Sequence, residues 1–128
     1  MTISGNGNVG MQVSRKGKFR IGLFGCGRRT QAILERALAS GIACVTRCHD
    51  IKRENAENLA AKYNAKVATL DELLSADDVD MLLISLFPAA HPDALLKAVG
   101  SGKPIYIEKP VAVFLKDVCR LLPLCGKY

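Results

Sequence analysis

Six residues of strand character, Phe19–Phe24, run without interruption into Gly25-Cys26-Gly27, and a helix-forming segment starts at the next residue, Arg28. A strand delivered into a helix through two glycines leaves the chain little choice. The turn is too tight for side chains, and the helix must pack back across its own strand. The same alternation then repeats to the end of the chain. The pattern predicts a helix over residues 28–40 stopped by Gly41, a strand over 42–49, and a second helix introduced by Asp50. In that helix Ala56, Leu59, Ala60 and Tyr63 recur at i, i+3, i+4 and i+7, and Asn64 closes it. A short strand over 66–68 follows. Thr69 and Glu72 have capping-box spacing for a brief helix through Leu74.

Residues 79–86 form a nearly continuous apolar run of strand length, the signature of a strand buried on both faces. Pro92 suits a first helical turn, and Leu95, Ala98 and Val99 supply that helix's core face before Gly100 and Gly102 end it. A strand over 105–108 and a last helix over about 114–122 complete the series. Five strands alternating with helices through right-handed crossovers predict an α/β fold, a doubly wound parallel sheet of Rossmann type in a single domain. Its ligand crevice lies at the carboxyl ends of the strands. No internal repeat is present.

Composition agrees. The 128 residues are 49% hydrophobic but only 5% aromatic, without tryptophan, so Leu, Ile, Val and Ala must build the core. The net charge of +6 would suggest nucleic-acid binding were it clustered on a face. Arg15, Lys16, Lys18 and Arg20 instead fall in a leading segment that holds no acid, and the other cations are scattered among acids. Nucleic acid is therefore not an expected partner. Residues 1–17, rich in Gly, Asn and Ser, read as a mobile leader ahead of a domain over 18–128. The five cysteines are an odd number with no secretory segment before them, which points to a reducing, cytoplasmic setting. Simple strand alternation predicts Cys44 and Cys48 on one face and His49 on the other, an arrangement that does not make a metal site. No apolar run reaches the ~18 residues of a membrane span.

The chemistry-bearing residues all fall at predicted strand ends. Gly25-Cys26-Gly27-Arg28-Arg29-Thr30 keeps the first two glycines of the dinucleotide fingerprint and has Thr30 at the third. Gly27 lets the backbone approach a pyrophosphate held by helix N-terminal amides. Asp50 ends the second strand twenty residues after Thr30, where an acid accepts hydrogen bonds from an adenosine ribose. A helix N-cap is the alternative for Asp50. Lys52 and Arg53 beside it would accommodate a 2′-phosphate, so NAD is the expected cofactor with NADP the alternative. Leu86, Phe87 and Pro88 stand at the end of the fourth strand, with His91 after them, and Glu108-Lys109-Pro110 stands at the end of the fifth.

This combination of glycine turn, acid after strand two, Pro-x-x-His after strand four and Glu-Lys-Pro after strand five resembles the glucose-fructose oxidoreductase / inositol dehydrogenase (Gfo/Idh/MocA) family. The resemblance covers about residues 18–128. It implies that Lys109 is a catalytic residue reaching the reacting carbon's oxygen beside the nicotinamide, and that Glu108 lies there and positions it. Pro110 would shape the turn, in a cis bond or a trans one. His91 resembles the family's cofactor-lining histidine, the alternative being an N-cap or loop role. Ala89 departs from the family's common Asn. The resemblance also implies a second α/β domain, absent after Tyr128, that holds a polyol or sugar substrate. The chain is accordingly expected to be truncated and inactive alone, with self-association through exposed apolar surface. The alternative is a noncatalytic NAD(P)-binding or regulatory module.

Overall fold

A computed structural model describes residues 17–127. The leader expectation for residues 1–16, and Tyr128, lie outside the described residues. Five strands form one all-parallel sheet in the order β3-β2-β1-β4-β5. They are β1 (Phe19–Phe24), β2 (Ala43–His49), β3 (Lys66–Val67), β4 (Met81–Ile84) and β5 (Ile105–Ile107), joined by α1 (Arg28–Ala39), α2 (Arg53–Tyr63), α3 (Leu70–Ser75) and α4 (His91–Val99) and followed by α5 (Leu115–Leu121).

The sheet is sandwiched because β1 is apolar on both sides. On one face Phe19, Ile21 and Leu23 meet Val45, Cys48, Leu34 of α1 and Leu59 of α2. On the other, Phe24, Leu82 and Ile84 pack with Leu73 of α3 and with Ala94 and Ala98 of α4. The order reverses on passing from β1 to β4, which opens a crevice above their carboxyl ends. The expected helix stops hold: Gly41 has φ +74° and its N–H reaches the Leu38 carbonyl, and Asn64 caps α2 in the left-handed region. Thr69 and Glu72 form a reciprocal capping box.

Two expectations change. A register shift pairs Ile21 with Val45 and Gly22 with Arg47, so Thr46 is an extra residue in β2. Alternation breaks there. Cys48 therefore shares the buried face of Val45, whereas Cys44 and His49 both belong to the opposite side, with Arg20 and Phe24. The second change concerns α2, which starts at Arg53 with Lys52 as N-cap. Asp50 stands outside the helix and accepts the Lys52 N–H at 2.8 Å. No helix among the described residues is long and apolar enough to cross a membrane.

Candidate functional site

The glycine turn is built by steric necessity at one residue and by none at the next. Gly25 has φ +101°, and a Cβ on it would sit 2.1 Å from the Ser85 carbonyl oxygen. Gly27 has an ordinary extended backbone, φ −84° and ψ −172°, and a Cβ there would meet nothing within 4 Å. The open space above Gly27 faces the start of α1, which has neither a side-chain cap nor an acid in its first turn. The first bond into this helix runs from the Gln31 N–H to the Gly27 carbonyl at 3.2 Å. The amides ahead of it are the orphan donors of a helix N-terminus, where the dipole also favours an anion. Thr30, at the position that favours glycine, is fully buried and fits because its hydroxyl donates to the Gly25 carbonyl at 2.8 Å.

Asp50 ties this turn to β2. One carboxylate oxygen accepts the Cys26 N–H at 2.8 Å and the other the Lys52 N–H, which fixes an anion at the mouth of the crevice. The Cys26 amide is thereby committed within the protein. Its thiol is buried, and a hydrogen bond with the Cys48 thiol together with burial pushes it above its ordinary value. A thiol so held is a packing group, not a nucleophile.

A cavity of about 760 Å³ lies over the strand ends. Among the residues predicted from sequence, Gly27, Arg28, Arg29, Asp50, Lys52, Leu86 and Phe87 line it. Gly25 and Cys26 form the turn beneath. Arg53, Pro88, His91, Glu108 and Lys109 are not part of the lining. Arg53 pairs with Glu57 one helical turn on, at 2.7 Å. His91 is buried, and both ring nitrogens are used: Nε2 accepts the Leu86 N–H at 3.0 Å and Nδ1 faces the Pro110 carbonyl at 2.7 Å. The ring thus straps the end of β4 to the bend after β5, whose Lys109–Pro110 bond is cis.

Glu108 is buried and receives the Arg29 guanidinium and the Lys109 N–H. Those two donors, Arg29 foremost, hold its carboxyl below the usual carboxylate range despite desolvation. Arg29 belongs to the first turn of α1, so this pair joins the glycine turn to the end of β5. Lys109 is exposed, next to that carboxylate.

Sequence reasoning missed much of the apolar wall, including Phe24, Ile51 and Leu70, and the polar His49, Asn55 and Lys97. One of these missed residues, Ile51, carried the same readable signal as the predicted Phe87. Ile51 directly follows the acid, and Phe87 follows the buried strand, yet they are 96% and 79% exposed. Large apolar side chains left in solvent at strand ends mark a surface meant to be covered. Among the described residues no group of three or more metal-ligating side chains comes together.

Comparisons with known proteins agree with this geometry. Residues 19–128 match the Gfo/Idh/MocA profile, described as an oxidoreductase family with an NAD-binding Rossmann fold. Inositol 2-dehydrogenase of Ralstonia nicotianae is 34% identical over 108 residues, covering 80% of this chain and 32% of the relative. Myo-inositol dehydrogenase of Lactobacillus casei, solved with NAD(H) and myo-inositol, is 31% identical with a TM-score of 0.76, over 83% of this chain and 32% of that one. The WlbA dehydrogenase of Bordetella pertussis, solved with NADH and UDP-GlcNAcA, is 25% identical with a TM-score of 0.75, over 86% and 34%. The chain spans about a third of the length of these relatives. With a five-stranded parallel sheet, an uncapped helix behind a glycine turn and a profile match across nearly every described residue, the chain belongs to the Gfo/Idh/MocA family of oxidoreductases, within its NAD-binding Rossmann domain.

Proposed function

We propose that this chain is the cofactor-binding part of an NAD-dependent dehydrogenase that interconverts a hydroxyl and a carbonyl on a sugar or cyclitol. Gly27 carries the proposal. Its backbone conformation suits any residue and no protein atom crowds it, so the glycine keeps clear a space that lies over unpartnered helix amides. A pyrophosphate fits that cradle in size and charge.

From this anchor the other residues take roles by position. Asp50, fixed by two backbone amides, accepts ribose hydroxyls. As a held anion it also opposes a 2′-phosphate, and of the two neighbouring cations Arg53 is paired with Glu57, which leaves Lys52 to offset that charge. NAD is therefore favoured over NADP. Ile51, Leu86 and Phe87 cover the base. When bound, the nicotinamide supplies the hydride acceptor or donor. Lys109, exposed at the end of β5 and adjoining the Glu108 carboxylate, donates a hydrogen bond to the substrate oxygen and takes part in moving its proton. Hydride transfer also needs a surface that holds the substrate against the cofactor. Lys109 is exposed and lies outside the cavity over the strand ends, and on this reading the chain by itself binds cofactor without turnover.

Calorimetric titration with NAD, NADH, NADP and NADPH tests this reading. NAD(H) should bind saturably and at least about tenfold tighter than NADP(H). Asp50→Ala should weaken NAD about tenfold or more, the scale of a lost charge-assisted hydrogen bond, and narrow the gap between the cofactors. No binding by any of the four overturns the proposal.

A further inference from the structure

Of the polar side chains on the cavity wall, His49 is the one whose ring is held by both a hydrogen bond and an aromatic contact. His49 is the last residue of β2, and its ring is fixed twice. Nδ1 lies 3.0 Å from the Ala68 carbonyl oxygen, and the ring meets Phe24 edge-on with centroids 5.4 Å apart. A carbonyl can only accept, so Nδ1 carries the proton and Nε2 of the neutral ring keeps a lone pair on the ring's far side. Among the described residues Nε2 makes no hydrogen bond, and the one buried side-chain polar atom without a partner is Tyr63 Oη. Nε2 is thus an accessible acceptor without a partner, on a residue that lines the cavity together with apolar Phe24, Leu70 and Leu86.

The next residue, Asp50, defines the ribose position, so the base attached to that ribose lies over this part of the wall. Flat apolar surroundings tolerate any purine. An acceptor held in place beside Phe24, as His49 Nε2 is, does not: it matches the 6-amino group of adenine, a donor, and opposes the 6-oxo group of hypoxanthine, an acceptor. We infer that His49 reads the purine 6-amino group through Nε2 and makes the site specific for an adenine dinucleotide. This rests on the dinucleotide reading above.

The test is calorimetric titration of the full chain with NAD and with nicotinamide hypoxanthine dinucleotide, in which a 6-oxo group and N1–H replace the 6-amino group and bare N1 of adenine. The native chain should bind the hypoxanthine form about tenfold more weakly, the effect of one mismatched buried hydrogen bond. His49→Phe keeps a ring against Phe24 but removes the lone pair, and should bind the two forms alike. Equal affinities in the native chain overturn the assignment while leaving dinucleotide binding intact, and need no variant. Discrimination that survives in a folded His49→Phe chain, verified by its melting curve, also overturns it. If neither compound binds, the dinucleotide reading fails and takes this inference with it.

Discussion

Gly25 and Gly27 stand two residues apart in one turn and answer to different physics. Gly25 is required by the fold: its φ of +101° and the Ser85 carbonyl 2.1 Å from any added Cβ leave no room for alanine. Gly25→Ala should cost more than about 3 kcal/mol or prevent folding, read as a collapse of the urea midpoint. The fold makes no such demand at Gly27, and on the proposed reading the glycine is kept for what binds. Both glycines were legible in the sequence, but as two matches to one fingerprint, and only coordinates separate their reasons. Thr30 looked like a mismatch for the opposite reason. Sequence reasoning treats the third glycine as a demand for small volume, whereas the buried threonine satisfies the turn with a hydroxyl-to-carbonyl bond. His91 was identified as a residue that matters, with its role left between cofactor loop and structural cap. Its two hydrogen bonds make it a strut, and His91→Phe leaves the Leu86 N–H and Pro110 carbonyl unpaired. That should cost about 2–3 kcal/mol by chemical denaturation.

At the scale of elements, alternation of strand and helix was readable throughout because glycine, proline or capping signals bound the strands. The ends were less so. The apolar run at 79–86 reads as one long strand, but only Met81–Ile84 pairs in the sheet, since Ser85 and Leu86 already turn toward the crevice. The bulge at Thr46 left no mark in hydropathy, because Thr46 and Arg47 are held from outside the strand by the Asp78 carbonyl and carboxylate. A comparable pin joins the opposite end of β1 to the start of β4. Asp80 accepts the Arg20 backbone N–H at 2.8 Å and two guanidinium bonds at 3.0 and 2.8 Å. The Arg20 guanidinium holds the Asp80 carboxyl below the usual range. A carboxyl depressed on folding stabilises above its unfolded pKa of about 3.9, and that stability is lost as pH falls through the lower folded value. Asp80→Asn should therefore cost about 1–3 kcal/mol at pH 7, with the native and variant urea curves converging in acid below about pH 4. A gap that stayed constant down to pH 2 would show that the charge is not what matters.

For the molecule as a whole, the sheet positions every candidate residue at one rim, and it leaves a second surface unaccounted for by that rim. Val111, Val113, Phe114, Leu115, Val118 and Leu122 are 40–78% exposed within twelve residues of chain, beyond the free edge of β5. Soluble monomers seldom show so dense an apolar patch. The isolated chain should accordingly associate, with a weight-average mass that rises with concentration in sedimentation, and Leu115→Lys with Leu122→Lys should reduce that rise. The space over Gly27, at the rim, is tested by a single substitution. Gly27→Val puts a Cβ where no protein atom lies within 4 Å, so its stability should fall by no more than about 1 kcal/mol, the cost of a poorer N-cap. Titrated with NAD beside the native chain, the variant should lose binding by well over tenfold while melting nearly as the native chain does. A folded Gly27→Val chain that binds NAD with native affinity would contradict the account, because the space over Gly27 would then hold no pyrophosphate.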